Sequence, residues 1–265
     1  MLKLIAQNKY KLLVFIIGLY LLADVLQHKG QTRVLFPKNY AAFNINASLP
    51  KSKTSLVNQS KEWKKGVNTK ARMNELDVTA SGFECDVYFD NAKNDFDVHH
   101  DADKSIGQDL ISLLDLYQKK KYTASIWLDF KNLDDANAGQ AMAALIYLRN
   151  KYSLQNKLLV ESGRADLLSA FSDSGFFTSY YTSMFNPYQI KDKEINFWAD
   201  SITKVVNNAR VNALSGYYFQ YSFLHHYFPN YPVLIWGEKE RFSLVNLLFQ
   251  MKISRDKAIF IALYQ

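Results

Sequence analysis

One cysteine, Cys85, is all this 265-residue sequence holds. An intramolecular disulfide and a thiolate-bound metal cluster are therefore excluded, and a single thiol does not reveal a redox compartment. A glycine-rich phosphate loop, a serine nucleophile elbow and a cysteine-based zinc pattern are missing too. Acid is scarce in one region. Residues 27–72 carry ten Lys or Arg against Glu62 alone. Segment charges of +9 for 27–72 and +2 for 1–26, out of +7 overall, leave −4 for 73–265. The basicity thus belongs to a connecting segment, and it reads as membrane-surface affinity or as a solvated linker. Nucleic-acid binding is disfavoured, because the basic segment lacks interleaved aromatics and a recognition fold.

What is present begins with "KLLVFIIGLYLLADVLQ", preceded by Lys3 and Lys9. Its uninterrupted apolar part, 12–23, is short for a membrane span and approaches the lower limit when extended through Asp24 to Leu26. A secretory signal peptide shares this pattern, with "LLA" before a cleavage point. An uncleaved single-pass anchor over 1–26 is the favoured expectation, with a basic tether or irregular wrap over 27–60. Lys29, Arg33 and Lys38 nearly balance the N-terminal charges, so the positive-inside count barely discriminates; the periplasmic or lumenal side is the expectation for the folded body. "NAS" at Asn46 and "NQS" at Asn58 are glycosylation triplets, which often arise by chance.

From residue 61 onward, short β-rich runs alternate with longer amphipathic ones. The strand candidates are "EWKKGVN", "FECDVYF", "ASIWLDF", "KLLVES", "FFTSYYT", "ALSGYYF", "PVLIWG" and "AIFIALY". Helical candidates lie between them, the last near 241–252. Such alternation demands a mostly parallel sheet, and eight units in about 200 residues fit a closed (β/α)8 TIM barrel over 61–265 better than a doubly wound sandwich. In a barrel the chemistry sits at the C-terminal strand ends, where Glu84, Asp86, Asp129, Glu161 and Trp236 fall.

Glu84 and Asp86 are two apart and share a strand face, so both point into a barrel lumen. Two neighbouring buried carboxylates repel and need a positive partner. A divalent cation with oxygen ligands, Mg²⁺ or Ca²⁺, is the simplest, with Asp129 of "WLDFK" as a third carboxylate. A salt-bridge cluster of Glu84, Asp86 and Lys131 without metal is the even alternative. Of His99 and His100, adjacent on an extended segment, at most one enters the site. His225 and His226, in "YSFLHHYFP", read as part of a partly buried structural connection.

In order along the chain, "GFECDVYF", "FDVHHD", "WLDFK" and "LIWG" resemble the glycerophosphodiester phosphodiesterase-like superfamily, with its sphingomyelinase D and menorin-type relatives, from about Trp63 to the C-terminus. The resemblance implies that Glu84, Asp86 and Asp129 ligate one divalent metal and that His100, next to Asp101, is a catalytic histidine. It further implies that Lys131 holds phosphate, and that Trp236 and the Asn68 of "VN" contact substrate. One departure stands out. These families place a histidine just before "VN", where "EWKKGVN" has Lys65. The expectation is a membrane-anchored phosphodiesterase acting on a glycerol-, lipid- or glycan-linked diester. Lys65 would then serve as an electrostatic group, or His100 would work with metal-bound water or a substrate hydroxyl. The alternative is an inactive barrel serving as a binding or scaffold subunit of an envelope complex.

Overall fold

The computed structural model describes residues 2–43, 45–50, 52, 54–240 and 242–264, with the backbone alone for 2–8. The Lys3 side chain, Lys51 and Lys53 of the basic regions, and Arg241 at the expected start of the last helix lie outside the described residues. Two N-terminal helices, α1 (Leu2–Gln27) and α2 (Lys29–Leu35), precede β1 (Glu62–Lys64) and α3 (Lys70–Asn74). A hairpin of β2 (Gly82–Asp90) and β3 (Asp95–Val98) follows, then α4 (Leu110–Lys119), β4 (Ser125–Phe130), α5 (Ala138–Lys151) and β5 (Leu158–Ser162). The chain continues through α6 (Ala165–Asp173), β6 (Phe177–Tyr181), α7 (Asp192–Asn208) and β7 (Ala213–Tyr217). It finishes with α8 (Tyr221–Tyr227), β8 (Val233–Trp236), α9 (Leu244–Arg255) and β9 (Ile259–Tyr264).

All eight expected strands form, and they pair in parallel in the order β1-β9-β8-β7-β6-β5-β4-β2, with β1 closing onto β2 through Lys64 and Phe83. This is a TIM barrel with the helices outside. β3 lies antiparallel on β2 and stands apart from the staves. Local chemistry fixes the helices. Asp109 caps α4, its carboxylate accepting from the Ser112 N–H at 2.6 Å. Ser243 caps α9 through the Asn246 N–H at 2.9 Å. On α7, Ile195, Ala199, Ile202 and Val206 recur at helical spacing and bury one face on the barrel wall. Burying a leucine such as Leu113 there contributes about 2 kcal/mol. The lumen is closed below the mouth by Trp63, Trp127, Leu159, Phe177, Leu234 and Ile261.

The N-terminal region is placed unexpectedly. Residues 9–27 of α1 are long and apolar enough to cross a membrane, and almost none of that stretch is covered by the barrel. Residues 29–35, which show no periodicity in apolar residues, form α2. Asp24, His28, Gln31 and Val34 are nevertheless spaced as one helical face, and all four are buried. His28 Nδ1 lies 2.9 Å from Asp24 Oδ1, and its Nε2 lies 2.7 Å from Glu240 Oε2. Gln31 donates to Glu238 at 2.9 Å, and the Val245 N–H donates to Asp24 Oδ2 at 2.9 Å. Gly30 lets α2 seat on Tyr218, because a Cβ there would stand 2.2 Å from the Tyr218 hydroxyl. The joint therefore grips the β8–α9 loop, at the C-terminal end of the barrel.

The segment from 36 to 61 then runs down the outside of the barrel. Lys38 meets Asp192 at the start of α7, and Tyr40 packs on Phe223 and Tyr227. Ser48 and the carbonyl of Asn46 bond Asn207 at the far end of α7, while Val57 bonds Asn156 and Ser125. The Asn58 side chain is held by Phe260 and Trp63, just before β1 begins at the bottom of the barrel.

Candidate active site

Strand register brings the acids together. Asp86 on β2 pairs with Asp129 on β4, which pairs with Glu161 on β5, and Glu84 lies one pleat below Asp86. Oxygens of Glu84, Asp86 and Asp129 all fall within 4.8 Å of one another. Glu84 and Asp86 are buried. The loop after β1 holds both. Gly66, at a φ of 69° that favours glycine, donates its N–H to Glu84 Oε2 at 2.6 Å. Asn68 donates its amide to Asp86 Oδ2 at 2.6 Å and accepts the Asp86 N–H at 2.9 Å.

One ammonium enters this group. Lys131 Nζ lies 2.8 Å from Asp86 Oδ1 and also contacts Asp129 Oδ2, but it has no contact with Glu84. The Glu84, Asp86 and Lys131 bridge expected as the alternative to a metal thus forms only in part, with Lys131 joining Asp86 to Asp129 and not to Glu84. It does not neutralise the set: with all three carboxylates ionised, one positive charge leaves two negative charges, the complement of one divalent cation. The electrostatics record the imbalance. Burial, reinforced by Asp86 and Asp129, pushes Glu84 up to about 8. Burial raises Asp129 more than Lys131 lowers it. Burial opposes the charge on Lys131, but Asp129 and Asp86 outweigh it and drive the ammonium above its usual value. Three clustered carboxylates can coordinate a hard divalent metal, and the donor set fits one.

Around these acids is a cavity of about 400 Å³ lined also by Lys65, His100, Tyr181, Tyr217 and Trp236. His100 is exposed at its edge, with Nδ1 2.9 Å from Asp101 Oδ1. His99 turns the other way, buried and stacked on Tyr88 at 4.2 Å. One histidine of the pair therefore reaches the cavity. Trp236 stands edge-on to Tyr181 at 5.0 Å and tilts against Tyr217 at 5.5 Å, giving the mouth an aromatic wall.

No protein-family model and no curated protein matches the chain. Solved structures do. A glycerophosphodiester phosphodiesterase from Parabacteroides distasonis is 13% identical at a TM-score of 0.53, over 78% of this chain and 93% of its own. An Oleispira antarctica phosphodiesterase, solved with the product sn-glycerol-3-phosphate, is 13% identical at a TM-score of 0.52, over 77% and 92%. The chain has the glycerophosphodiester phosphodiesterase fold.

Within that barrel, several side chains sit differently from the sequence reading. Asn68, expected at the substrate, spends its side chain on Asp86 and does not line the cavity. Lys65 lines it and has no ion-pair partner among the described residues. His225 and His226 are exposed on α8, their rings against Tyr221 and Tyr40. Sequence reasoning missed Tyr181 and Tyr217, although "SYYT" and "GYYF" end equivalent strands. It placed Glu161 at a strand end without its burial. Both Glu161 oxygens lack a hydrogen-bond partner among the described residues, and the nearby Ser215 hydroxyl turns to the Tyr180 carbonyl at 3.2 Å. Burial, then Asp129, raises this carboxyl well above its ordinary range.

Proposed function

We propose that this protein is a membrane-anchored, divalent-metal-dependent phosphodiesterase acting on a glycerol-, lipid- or glycan-linked diester. Residues 1–26 form the anchor, 27–60 the tether and 61–265 the catalytic barrel, on the periplasmic or lumenal side. The observation that carries the reading is the convergence of Glu84, Asp86, Asp129, Lys131, His100 and Lys65 on one cavity, with the three carboxylates close enough to share one cation. The product held by the Oleispira antarctica enzyme supports a glycerol-linked diester as the substrate class.

Glu84, Asp86 and Asp129 would hold the metal, Mg²⁺ or Ca²⁺, which when bound withdraws charge from non-bridging phosphate oxygens as a Lewis acid. Asn68 and the Gly66 N–H fix two of the carboxylates, so the donors need no rearrangement on binding. Lys131 turns from its carboxylates to a phosphate oxygen. His100, oriented by Asp101 through Nδ1, keeps Nε2 free to move a proton to or from a bridging oxygen. Lys65 stands where the related families carry a second histidine. Its ammonium, lining the cavity without an ion-pair partner among the described residues, would serve as an electrostatic clamp on phosphate. Trp236 would line the substrate pocket.

Purified protein supplied with Mg²⁺ or Ca²⁺ should cleave a phosphodiester, and His100→Ala or Glu84→Gln should abolish cleavage. Turnover that is independent of metal and indifferent to both substitutions defeats the assignment. The position of Lys65 favours a second reading, an inactive barrel that binds a phosphorylated lipid or glycan within an envelope complex. Activity gained only in Lys65→His supports that reading; activity in the unaltered protein rejects it.

A further inference from the structure

The anchor joins the barrel at its mouth, although β1 starts at the opposite end. Tyr20, on the last turns of the apolar stretch, donates its hydroxyl to the Phe242 carbonyl in the β8–α9 loop; His28 holds the same loop at Glu240, and Asp24 holds the start of α9 at Val245. That loop leaves β8 directly after Trp236, which lines the cavity. Segment 36–61 then descends the barrel before entering β1. A plain tether would have hung the barrel by its bottom.

Beside this exit the surface stays apolar. Phe242 is 93% exposed and Phe36 77%. On α9, Leu244, Leu247, Leu248 and Met251 recur at i, i+3, i+4 and i+7 and are all exposed, on the face opposite Val245, Phe249 and Ile253. A groove between α9 and the end of α1 continues the same surface, lined by Leu21, Val25 and Leu35 and closed by Lys252 and Arg255. An apolar strip that is continuous with a membrane-crossing helix and edged by basic side chains matches the interface of an anionic bilayer, acyl chains to the strip and headgroups to the cations.

We propose that α9 and the β8–α9 loop rest in the interface of the bilayer that α1 crosses, so that the cavity mouth opens at the lipid headgroups and receives its diester from a membrane lipid. The docking rests on α1 as an anchor, and the lipid substrate rests on the phosphodiesterase reading.

Cys85 is buried, so single cysteines introduced by F242C, L247C, L13C and Q155C can be labelled selectively with a polarity-sensitive fluorophore. Gln155 lies in a turn at the bottom of the barrel. The full-length chain is placed in vesicles of equal parts phosphatidylcholine and phosphatidylglycerol containing nitroxide lipids. The expected result is quenching at 242, 247 and 13 and none at 155. Quenching at 13 alone overturns the docked mouth and leaves a tethered barrel. Quenching nowhere overturns the anchor as well. Shielding of 242 and 247 in lipid-free detergent that grows with protein concentration assigns the strip to a second copy of the chain and also overturns the proposal. The double variant F242S/L247S should lose turnover of vesicle phosphatidylglycerol by about tenfold per side chain removed from the interface, while turnover of soluble bis(p-nitrophenyl) phosphate stays unchanged. Equal loss on both substrates overturns the lipid route. If the unaltered protein cleaves neither, the phosphodiesterase reading fails while the quenching pattern still decides the docking.

Discussion

At the anchor joint, Asp24, His28 and Gln31 lie buried against Glu238, Glu240 and the Val245 N–H, and each buried group meets a partner of complementary charge or hydrogen-bonding sense. At the carboxylate rim, one ammonium serves Asp86 and Asp129 beside Glu84, and the Glu161 oxygens have no hydrogen-bond partner among the described residues. Both clusters are acidic and both flank the mouth, the joint reaching solvent at Glu238 and Glu240. The joint is complete as it stands, which is what a structural contact requires. The rim is held in place by Gly66 and Asn68 in a state that its own charges disfavour, and it becomes neutral only on gaining positive charge.

Substitution should therefore act in opposite senses at the two places. The largest effect is expected from Glu84→Gln, which should lower metal-dependent turnover at least about a hundredfold. Above pH 8, where Glu84 is charged, the same change removes a buried like charge, so there the metal-free variant should melt above the unaltered protein in chelator, and added Mg²⁺ or Ca²⁺ should no longer raise its melting temperature. A variant that melts lower in chelator would place the rim with the joint as a structural cluster. Next comes His28→Ala. It leaves Asp24 and Glu240 facing each other and should cost about 2 kcal/mol. Hydrogen exchange in residues 237–243 should rise, with the rest of the barrel unchanged.

A pH titration separates the two clusters further. Glu84 is raised from its ordinary 4.5 to about 8, so between these values the native state holds a proton that the unfolded chain releases. Metal-free stability should fall as pH rises across that window, and a divalent cation should flatten the fall. Burial lowers His28, but Glu240 and Asp24 outweigh it and lift it above its ordinary 6.5. The contribution of His28 is full below 6.5 and lost as pH rises through its folded value, with or without the cation. The smallest effect is expected at Arg164, exposed between Asp135 and Asp166, where Arg164→Ala should leave the melting temperature unchanged within error.

The barrel was legible because each stave is a short run of β-branched and aromatic residues bounded by an amphipathic stretch, from "ASIWLDF" to "AIFIALY". The rim was legible because Glu84 and Asp86 interrupt such a run with the period of a strand. The joint was not, since its buried helical face is made of Asp24, His28 and Gln31, which an apolar pattern passes over. Asn68 was read as a substrate contact because sequence order alone cannot show that its amide turns to Asp86. Whether Lys131 replaces a metal or accompanies one also depended on distance: it reaches two carboxylates and leaves Glu84 alone.

The seam of the barrel joins the first stave to the last, Glu62 beside Ala262 and Lys64 beside Tyr264. Pairing so distant in sequence is slow to form, because a long stretch of chain must be ordered before the contact is made. The Lys65 N–H bonds the Tyr264 carbonyl at 2.8 Å, so the loop bearing Gly66 and Asn68 takes its final position only after that seam shuts. A half-made chain at the ribosome would accordingly lack the Gly66 and Asn68 hydrogen bonds that fix Glu84 and Asp86.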